Sequence, residues 1–459
     1  MADQKAPLKL EMKDVVLVKS SKSIPSCILS LSTLDNIYIN NSLFLFVHVY
    51  RSSTIHDSDS GFDPCHVFKE ALSKALDYYY PLAGRLVKHA GDGRLRVEFG
   101  VGDAEYGVPF LEAYANCTLS SLHYLDNTDT EIAKDLVLDI PSPKDKSYPL
   151  VLMVTKFLCG GFTIGMGLSH AICDGFGASQ IFRAIVELAR GRTEPSVKPV
   201  WEREKQVGSI AIQTFPQCPM DRESVSLSPF VNQNNTTIIK QYCFKVEGEM
   251  IRRLKLSLMN ENENIRFTTF EVLAGYVWRS RARALKLKSN GLTALTIAVG
   301  SRRNLKDYDT LPKGYYGNSI IDVNVVLKVS VLNEMPLYET IKLIKETKNI
   351  AFTADYVTNS INSLELEASG AVTSLSELKH LGFQENLNFE GYELVNFLTA
   401  PCKMLGTLDT CIFSSPNKLD DHDLSMEGGV RIFTSLPEAV GDPHSRCMHE
   451  SHAYIYTLR

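Results

Sequence analysis

The stretch FTIGMGLSHAICDG at residues 162–175 decides the fold class and carries the candidate chemistry. Residues 162–168 are apolar or small and predict a buried β-strand. His170 follows where this strand ends, and Asp174 and Gly175 follow within five residues. Apolar residues then recur with helical spacing from Ala178 to Arg190, so a helix is predicted directly behind the motif.

Helices and strands alternate along the rest of the chain. Predicted strands cover residues 14–19, 43–51, 95–99, 150–157, 292–299 and 430–436, and predicted helices cover residues 63–80 and 267–284. Pro81 ends the first of these helices. The mixed pattern indicates an α/β protein.

The chain of 459 residues is long for one hydrophobic core, so two domains are expected. Periodicity is lost at residues 196–237, where prolines, glutamines, asparagines and serines predominate, which is typical of a crossover linker. We therefore predict an N-terminal domain at residues 1–195 and a C-terminal domain at residues 238–459.

Composition excludes several function classes. The net charge of −5 provides no basic surface for nucleic acid. No apolar run reaches the roughly 20 residues that a bilayer span needs, and the N-terminus lacks a secretory signal pattern. The cysteines are scattered without a C-x-x-C pair, which favours free thiols in a reducing compartment over disulfides or a zinc site. We expect a cytoplasmic protein without a membrane, nucleic-acid or metal partner.

His170 is the candidate general base. A neutral imidazole at a strand end has a pKa suited to removing a proton near neutral pH. Gly175 and Gly177 beside it permit close approach of a ligand or unusual backbone angles. Asp174 either orients the imidazole or holds the loop by pairing with an arginine. The spacing His-x-x-x-Asp alone is close to chance, and a histidine that only satisfies a structural hydrogen bond fits it as well.

Ser169 offers a competing chemistry. The sequence GLSHA at residues 167–171 approaches the G-x-S-x-G nucleophile elbow of hydrolases, but Ala171 replaces the last glycine. Neighbouring side chains along a strand diverge, so Ser169 and His170 do not form a catalytic pair. Phosphate-binding glycine loops are absent from the sequence.

Four segments resemble motifs of the plant BAHD acyl-CoA-dependent acyltransferases, and they occur in the same order as in that family. They are LSTLD at 31–35, YPLAGRL at 80–86, HAICDG at 170–175 and LPKGYYGN at 311–318. The resemblance implies two similar-sized chloramphenicol-acetyltransferase-like α/β domains with mixed sheets, flanking helices and a channel between them. It also implies that His170 takes a proton from the acceptor, and that Asp174 supports the motif by pairing with an arginine.

Further segments resemble the spermidine hydroxycinnamoyl transferase branch of that family. They are CGGF at 159–162, WERE at 201–204 and TTFEV at 268–272. The branch implies an aromatic acyl-CoA as co-substrate and an amine acceptor, without a further cofactor, in a monomer. Related branches acylate the hydroxyls of alkaloids and terpenoids, so an alcohol acceptor remains an alternative.

The chain departs from the family at its second signature, D-F-G-W-G. The corresponding segment is Asn388, Phe389, Glu390, Gly391 and Tyr392. The resemblance implies that the aspartate of this signature pairs with an arginine, here Arg302, and ties the two domains together. Asn388 loses that charge, and Glu390 is a candidate replacement.

Two further departures concern Leu378 and the C-terminal tail. Leu378 stands where relatives carry a tryptophan near the acceptor, and the sequence after Val440 looks unrelated to the family. Neutral drift at structural positions explains all three departures. The rival interpretation is a catalytically weak protein that binds CoA thioesters or a metabolite without turnover.

Overall fold

The computed structural model describes residues 8–37, 43–53, 62–100, 106–126, 130–140, 146–208, 238–261, 265–302, 311–364, 373–389, 391–401 and 410–438. Most of the predicted linker, residue Glu390 and the tail after Val440 lie outside these ranges.

The described residues form three β-sheets and eight α-helices. The strands are β1 (Leu10–Met12), β2 (Val16–Val18), β3 (Cys27–Ser30), β4 (Leu43–Ser52), β5 (Arg85–Lys88), β6 (Leu95–Phe99), β7 (Val108–Ala115), β8 (Lys146–Ser147), β9 (Leu150–Lys156), β10 (Phe162–Ser169), β11 (Ile239–Val246), β12 (Leu292–Gly300), β13 (Ile320–Lys328), β14 (Thr373–Glu377), β15 (Tyr392–Ala400), β16 (Thr410–Ser414) and β17 (Val430–Pro437). The helices are α1 (Thr33–Asn36), α2 (Pro64–Ala75), α3 (Gly175–Ala189), α4 (Gly248–Glu261), α5 (Thr269–Ala284), α6 (Val329–Glu334), α7 (Leu337–Ile350) and α8 (Ala354–Leu364).

The first sheet has the order β1-β7-β9-β10-β4-β15, with β2 also paired to β7. Its central strands are apolar on both faces because both faces are covered. Leu152 and Ile164 pack under α2 and α3, whereas Val47 and Met153 lie in apolar clusters on the opposite face. This double cover explains why residues 162–169 are apolar or small throughout rather than alternating with polar residues. A separate four-stranded sheet, β3-β6-β5-β8, adjoins this half.

The second sheet has the order β11-β17-β16-β14-β12-β13. Helices α5 and α7 cover one face, where Trp278 and Ile344 pack against Ile297 and Val323. Part of the other face meets the first sheet through Ile412 and its neighbours. The molecule therefore has two sheet-rich, helix-flanked halves, as the α/β prediction requires.

One strand departs from the predicted domain boundaries. β15 lies in the predicted C-terminal domain, but it pairs with β4 and forms the edge of the first sheet. A clean division at residues 238–459 is therefore wrong for residues 392–400. The chain returns to the first sheet because Val395, Phe397 and Leu398 are buried on both sides of that strand.

The predicted elements agree closely with the observed ones where the periodicity is strong. β6 matches its prediction to the residue, and β10 and β12 are each one residue longer than predicted. The observed helix α2 is shorter than the predicted helix 63–80. It ends at Ala75, and a short 3₁₀ turn, Tyr80–Ala83, follows. No helix within the described ranges is long and apolar enough to cross a membrane.

Candidate active site

The candidate site is built where β10 ends and α3 begins. Ser169 is the last residue of β10 and pairs with Leu43 of β4. Asp174 is the N-cap residue of α3, and its side chain accepts a hydrogen bond from the Gly177 amide at 3.1 Å. An aspartate at this position satisfies a free amide and interacts favourably with the helix dipole. The short connection between strand and helix thus fixes the backbone on either side of His170.

Asn318, from the second half of the chain, holds the backbone of His170. Its side-chain amide donates to the His170 carbonyl oxygen at 2.7 Å and to an Asp35 carboxylate oxygen at 2.8 Å. The Asn318 backbone amide donates to the same Asp35 oxygen at 3.0 Å. Asp35 is fixed in turn, since it forms a capping box with Ser32 at the start of α1. Three of the segments that carry the family resemblance therefore meet at one point.

His170 is half-buried beside an apolar wall. Its ring centroid lies 4.8 Å from that of Phe44, with the two planes tilted by 52°. Burial lowers the pKa of His170 below its ordinary value, against the opposing effect of the Asp174 charge. The imidazole is therefore neutral at pH 7, which is the form a proton acceptor requires.

Asp174 binds Arg302 rather than His170. The guanidinium contacts both carboxylate oxygens, at 2.6 and 2.9 Å, and also donates to the Gly317 carbonyl. The Ser319 amide donates to Asp174 at 3.0 Å. Burial alone would raise the pKa of Asp174, but Arg302 and these amides outweigh it and hold the pKa below its ordinary value. The alternative in which Asp174 orients the imidazole is not the one observed.

Arg302 does connect the two halves of the chain, but its partner differs from the predicted one. The expected partner was the Asn388 position, and the observed partner is Asp174, 128 residues away in sequence. The prediction that Arg302 pairs with the second signature was therefore wrong, since Arg302 pairs with the first signature, at Asp174. The bidentate pair is mostly buried and charge-assisted, so it fixes the orientation of both groups.

The glycines of the motif allow close packing within the protein. A Cβ atom at Gly177 would overlap the carbonyl oxygen of Tyr316, so this glycine lets α3 approach the segment that contains Asn318. A Cβ atom at Gly175 would lie 2.8 Å from Leu381 and 3.2 Å from Leu378. Leu378 is partly buried against the apolar clusters of both sheets, and it borders the motif.

Arg203 is a residue whose role the sequence did not indicate. It is fully buried and donates to the Ile172 carbonyl oxygen at 2.9 Å, inside the loop between His170 and Asp174. Its guanidinium lies 4.3 Å from the Trp201 ring centroid and 3.5 Å from Asp35. The segment WERE was quoted only for its resemblance, and nothing local in it indicates a buried cation.

The degenerate signature lies far from His170. The Asn388 side chain accepts from the Leu394 amide at 3.0 Å, and its carbonyl accepts from Arg190. Arg190 caps the C-terminal end of α3, whereas the motif caps the N-terminal end. A 15-residue helix is about 22 Å long, so the two sites are separated by that length.

The residues around Asn388 are held by aromatic packing. Phe389 lies 5.1 Å from Phe68 and 5.4 Å from Tyr50, measured between ring centroids. Gly391 takes a positive φ of 77° in the turn, and Tyr392 begins β15 with its ring 4.9 Å from Phe62.

Ser169 does not have the geometry of a nucleophile elbow. It is buried within β10, and its hydroxyl accepts from the Ala171 amide at 3.3 Å. Its φ is negative, whereas the elbow is a strained turn that exposes the hydroxyl. The described ranges also contain no group of three or more His, Cys, Asp or Glu side chains that could hold a metal ion.

Comparison with known proteins defines the class. A sequence profile described as the Transferase family matches residues 8–392. Spermidine coumaroyl-CoA acyltransferase of Arabidopsis thaliana is 37% identical over 454 residues, covering 95% of each chain. Spermidine sinapoyl-CoA acyltransferase of the same plant is also 37% identical, over 94% of this chain and 95% of its own. The chain belongs to the BAHD Transferase family. It is therefore an acyl-CoA-dependent acyltransferase.

A solved structure agrees with the fold. Vinorine synthase superposes with a TM-score of 0.70 over 98% of both chains, at 19% sequence identity. The two sheet-rich halves described above thus form the chloramphenicol-acetyltransferase-like arrangement of that family.

Proposed function

We propose that this enzyme transfers an aromatic acyl group, hydroxycinnamoyl or benzoyl, from CoA to an amine nitrogen of a polyamine, with His170 as the general base. This proposal rests on His170, whose backbone is fixed in position and whose imidazole is neutral. Its backbone is held from the second half by Asn318, and its pKa is kept below the ordinary value by burial.

The proposed reaction is an acyl transfer with one proton carried by His170. The imidazole takes a proton from the acceptor nitrogen as that nitrogen attacks the thioester carbonyl carbon. The resulting tetrahedral oxyanion collapses, the carbon–sulfur bond breaks, and the proton passes to the CoA thiolate. An amide and free CoA are the products. Asp174 and Arg302 hold the two halves together during this step and do not exchange protons with substrate.

Similarity supports the acceptor and donor classes. The two Arabidopsis relatives are named for spermidine and for coumaroyl- or sinapoyl-CoA. An alcohol of an alkaloid is the alternative acceptor, since the general base would act on a hydroxyl by the same step.

We infer that acyl-CoA is a co-substrate and that no further cofactor takes part. We place the enzyme in the cytosol, because the cysteines in the described residues are free thiols, and we expect a monomer.

A thiol-release screen tests the proposal. Coumaroyl-, caffeoyl-, benzoyl- and acetyl-CoA are each combined with spermidine, a tropane-type alcohol or shikimate, and free CoA is measured. The proposal predicts the fastest release with an aromatic acyl-CoA and spermidine. Faster CoA release with an alcohol would show that the acceptor is an alcohol rather than an amine. Calorimetric binding of acyl-CoA without thiol release from any pair would instead support a binding protein without turnover.

A further inference from the structure

One face of the second sheet is polar and only partly covered where it approaches the His170 motif. We call it the open polar face and define it as Thr296, Asp322, Asn324, Ser374 and Ser376. Strand register places these side chains together, since Thr296 is opposite both Asn324 and Ser374. The Thr296 hydroxyl donates to the Asn324 amide oxygen at 2.6 Å. Asp322 and Asn324 are exposed.

The same register connects the open polar face to the junction between the halves. Ser376 is opposite Ile412, which is buried in the apolar cluster shared with the first sheet. Leu378 lies two residues beyond Ser376 and borders Gly175 of the catalytic motif. The open polar face therefore begins where the contact between the two sheets ends, near the Gly175 end of the catalytic motif.

Asp322 supplies the only negative charge among the five residues of this face. Its neighbours Ile321 and Val323 point to the opposite side, where they pack against α8 and α5. Alternation along β13 thus directs the Asp322 side chain to the open side. Asp322 is exposed to solvent, yet the protein atoms around it partly desolvate its carboxylate and raise its pKa to about 6. The carboxylate is therefore mostly ionised at pH 7 and only partly desolvated.

We propose that Asp322 binds a second, charged ammonium group of an extended polyamine acceptor while the reacting amine lies at His170. This inference rests on the function proposed above and assigns a specificity-determining residue to it. An ammonium group brought to this partly desolvated carboxylate gains a favourable charge interaction, and the neighbouring hydroxyl and amide oxygens can accept its remaining hydrogen bonds.

The spacing fits such an acceptor. Asp322 is four residues from Asn318, whose side chain contacts the His170 carbonyl oxygen. An extended backbone between Asn318 and Asp322 spans about 13 Å, which places Asp322 roughly that far from the His170 motif. An extended triamine with a chain of about ten atoms spans a similar length. A monoamine of four carbons cannot reach both sites, so only a polyamine would benefit from Asp322.

The test compares Asp322→Asn with wild-type enzyme for two acceptors, spermidine and butylamine. We expect the KM for spermidine to rise about fivefold to tenfold, with kcat within about twofold, because one partly exposed charge interaction is lost. The KM for butylamine should not change. Asp322→Glu keeps the charge and should restore most of the spermidine affinity.

Asp355→Asn is the matched control, because Asp355 is exposed on α8, outside the open polar face. An unchanged KM for spermidine in folded Asp322→Asn overturns this inference while leaving the proposed function intact. An equal rise for both acceptors also overturns it. A wild-type enzyme that acylates no amine at all overturns the proposed function and this inference with it.

Discussion

The two signature regions of the chain are held in place in different ways. Around His170, charged and polar groups from distant segments converge, with Asp174 bound to Arg302 and Asn318 bound to Asp35. Around Asn388, the contacts are mainly aromatic, with Phe389 packed against Tyr50 and Phe68. The first region joins the two halves beside the candidate base. The second fastens the start of β15 to the first sheet, about a helix length away.

This difference explains how the second signature can lose its aspartate. A charge is costly to remove where it has a buried partner. At Asn388 the side chain needs only to accept from the Leu394 amide, and an amide oxygen does this as well as a carboxylate. The altered signature is therefore compatible with an intact catalytic region, and the following predictions test this contrast.

The largest effect is expected from His170→Ala. Loss of the general base should lower kcat for CoA release by about 10²–10⁴-fold. His66→Ala, on the exposed surface of α2, is the control and should keep the wild-type rate. Circular dichroism of both variants checks that they are folded. A folded His170→Ala enzyme with wild-type turnover would remove the histidine from the mechanism.

The next largest effect is on stability, in Arg302→Met. This change leaves Asp174 buried without its counter-ion, which costs about 3–5 kcal/mol of unfolding free energy. Urea denaturation measures the loss. Arg252→Met breaks an exposed ion pair with Glu249 and should leave stability unchanged. Equal stability of the two variants would contradict a connecting role for Arg302.

Asn318→Ala should have an intermediate effect on turnover. Its side chain holds the His170 carbonyl, so its loss lets the motif loop shift, and kcat should fall by about tenfold to a hundredfold. The KM for acyl-CoA should change little, because the substitution alters the position of the general base rather than the binding of acyl-CoA. Exposed Asn349→Ala serves as the control. A rise in KM at constant kcat would show that Asn318 acts on binding instead.

Asn388→Ala should have the smallest effect on catalysis. It removes one hydrogen bond to the Leu394 amide, which costs about 1 kcal/mol of stability, and kcat should stay within about twofold of wild type. Thermal unfolding and the thiol-release rate measure the two quantities. If a folded Asn388→Ala protein were inactive, the second signature would affect catalysis after all.

The elements around the site could be predicted because their signals are local. The apolar run that ends before His170 predicted β10 within one residue. Helical spacing from Ala178 to Arg190 predicted α3, which begins three residues earlier, at Gly175. Asp35, Asn318 and Arg203 all lie in segments that the resemblance had marked. Their roles could not be derived, because hydrogen bonds between residues 31 to 283 positions apart depend on the assembled fold.

Two misassignments have the same physical origin. Arg302 was paired with the Asn388 position and β15 was placed in the second domain, although sheet membership and ion-pair partners are not properties of a local window. Gly177 shows this at one residue. The sequence allowed either close approach of a ligand or unusual backbone angles there, and the fold shows that the Tyr316 backbone approaches closely.

Chemical rescue of His170→Ala tests the central claim most directly. Thiol release from an aromatic acyl-CoA and spermidine is measured while imidazole is added to the variant. If a neutral base at this position drives the reaction, the depressed rate should rise in proportion to the unprotonated imidazole, while Asn388→Ala should not respond. The contrary result is a folded His170→Ala enzyme that already turns over at the wild-type rate before any imidazole is added.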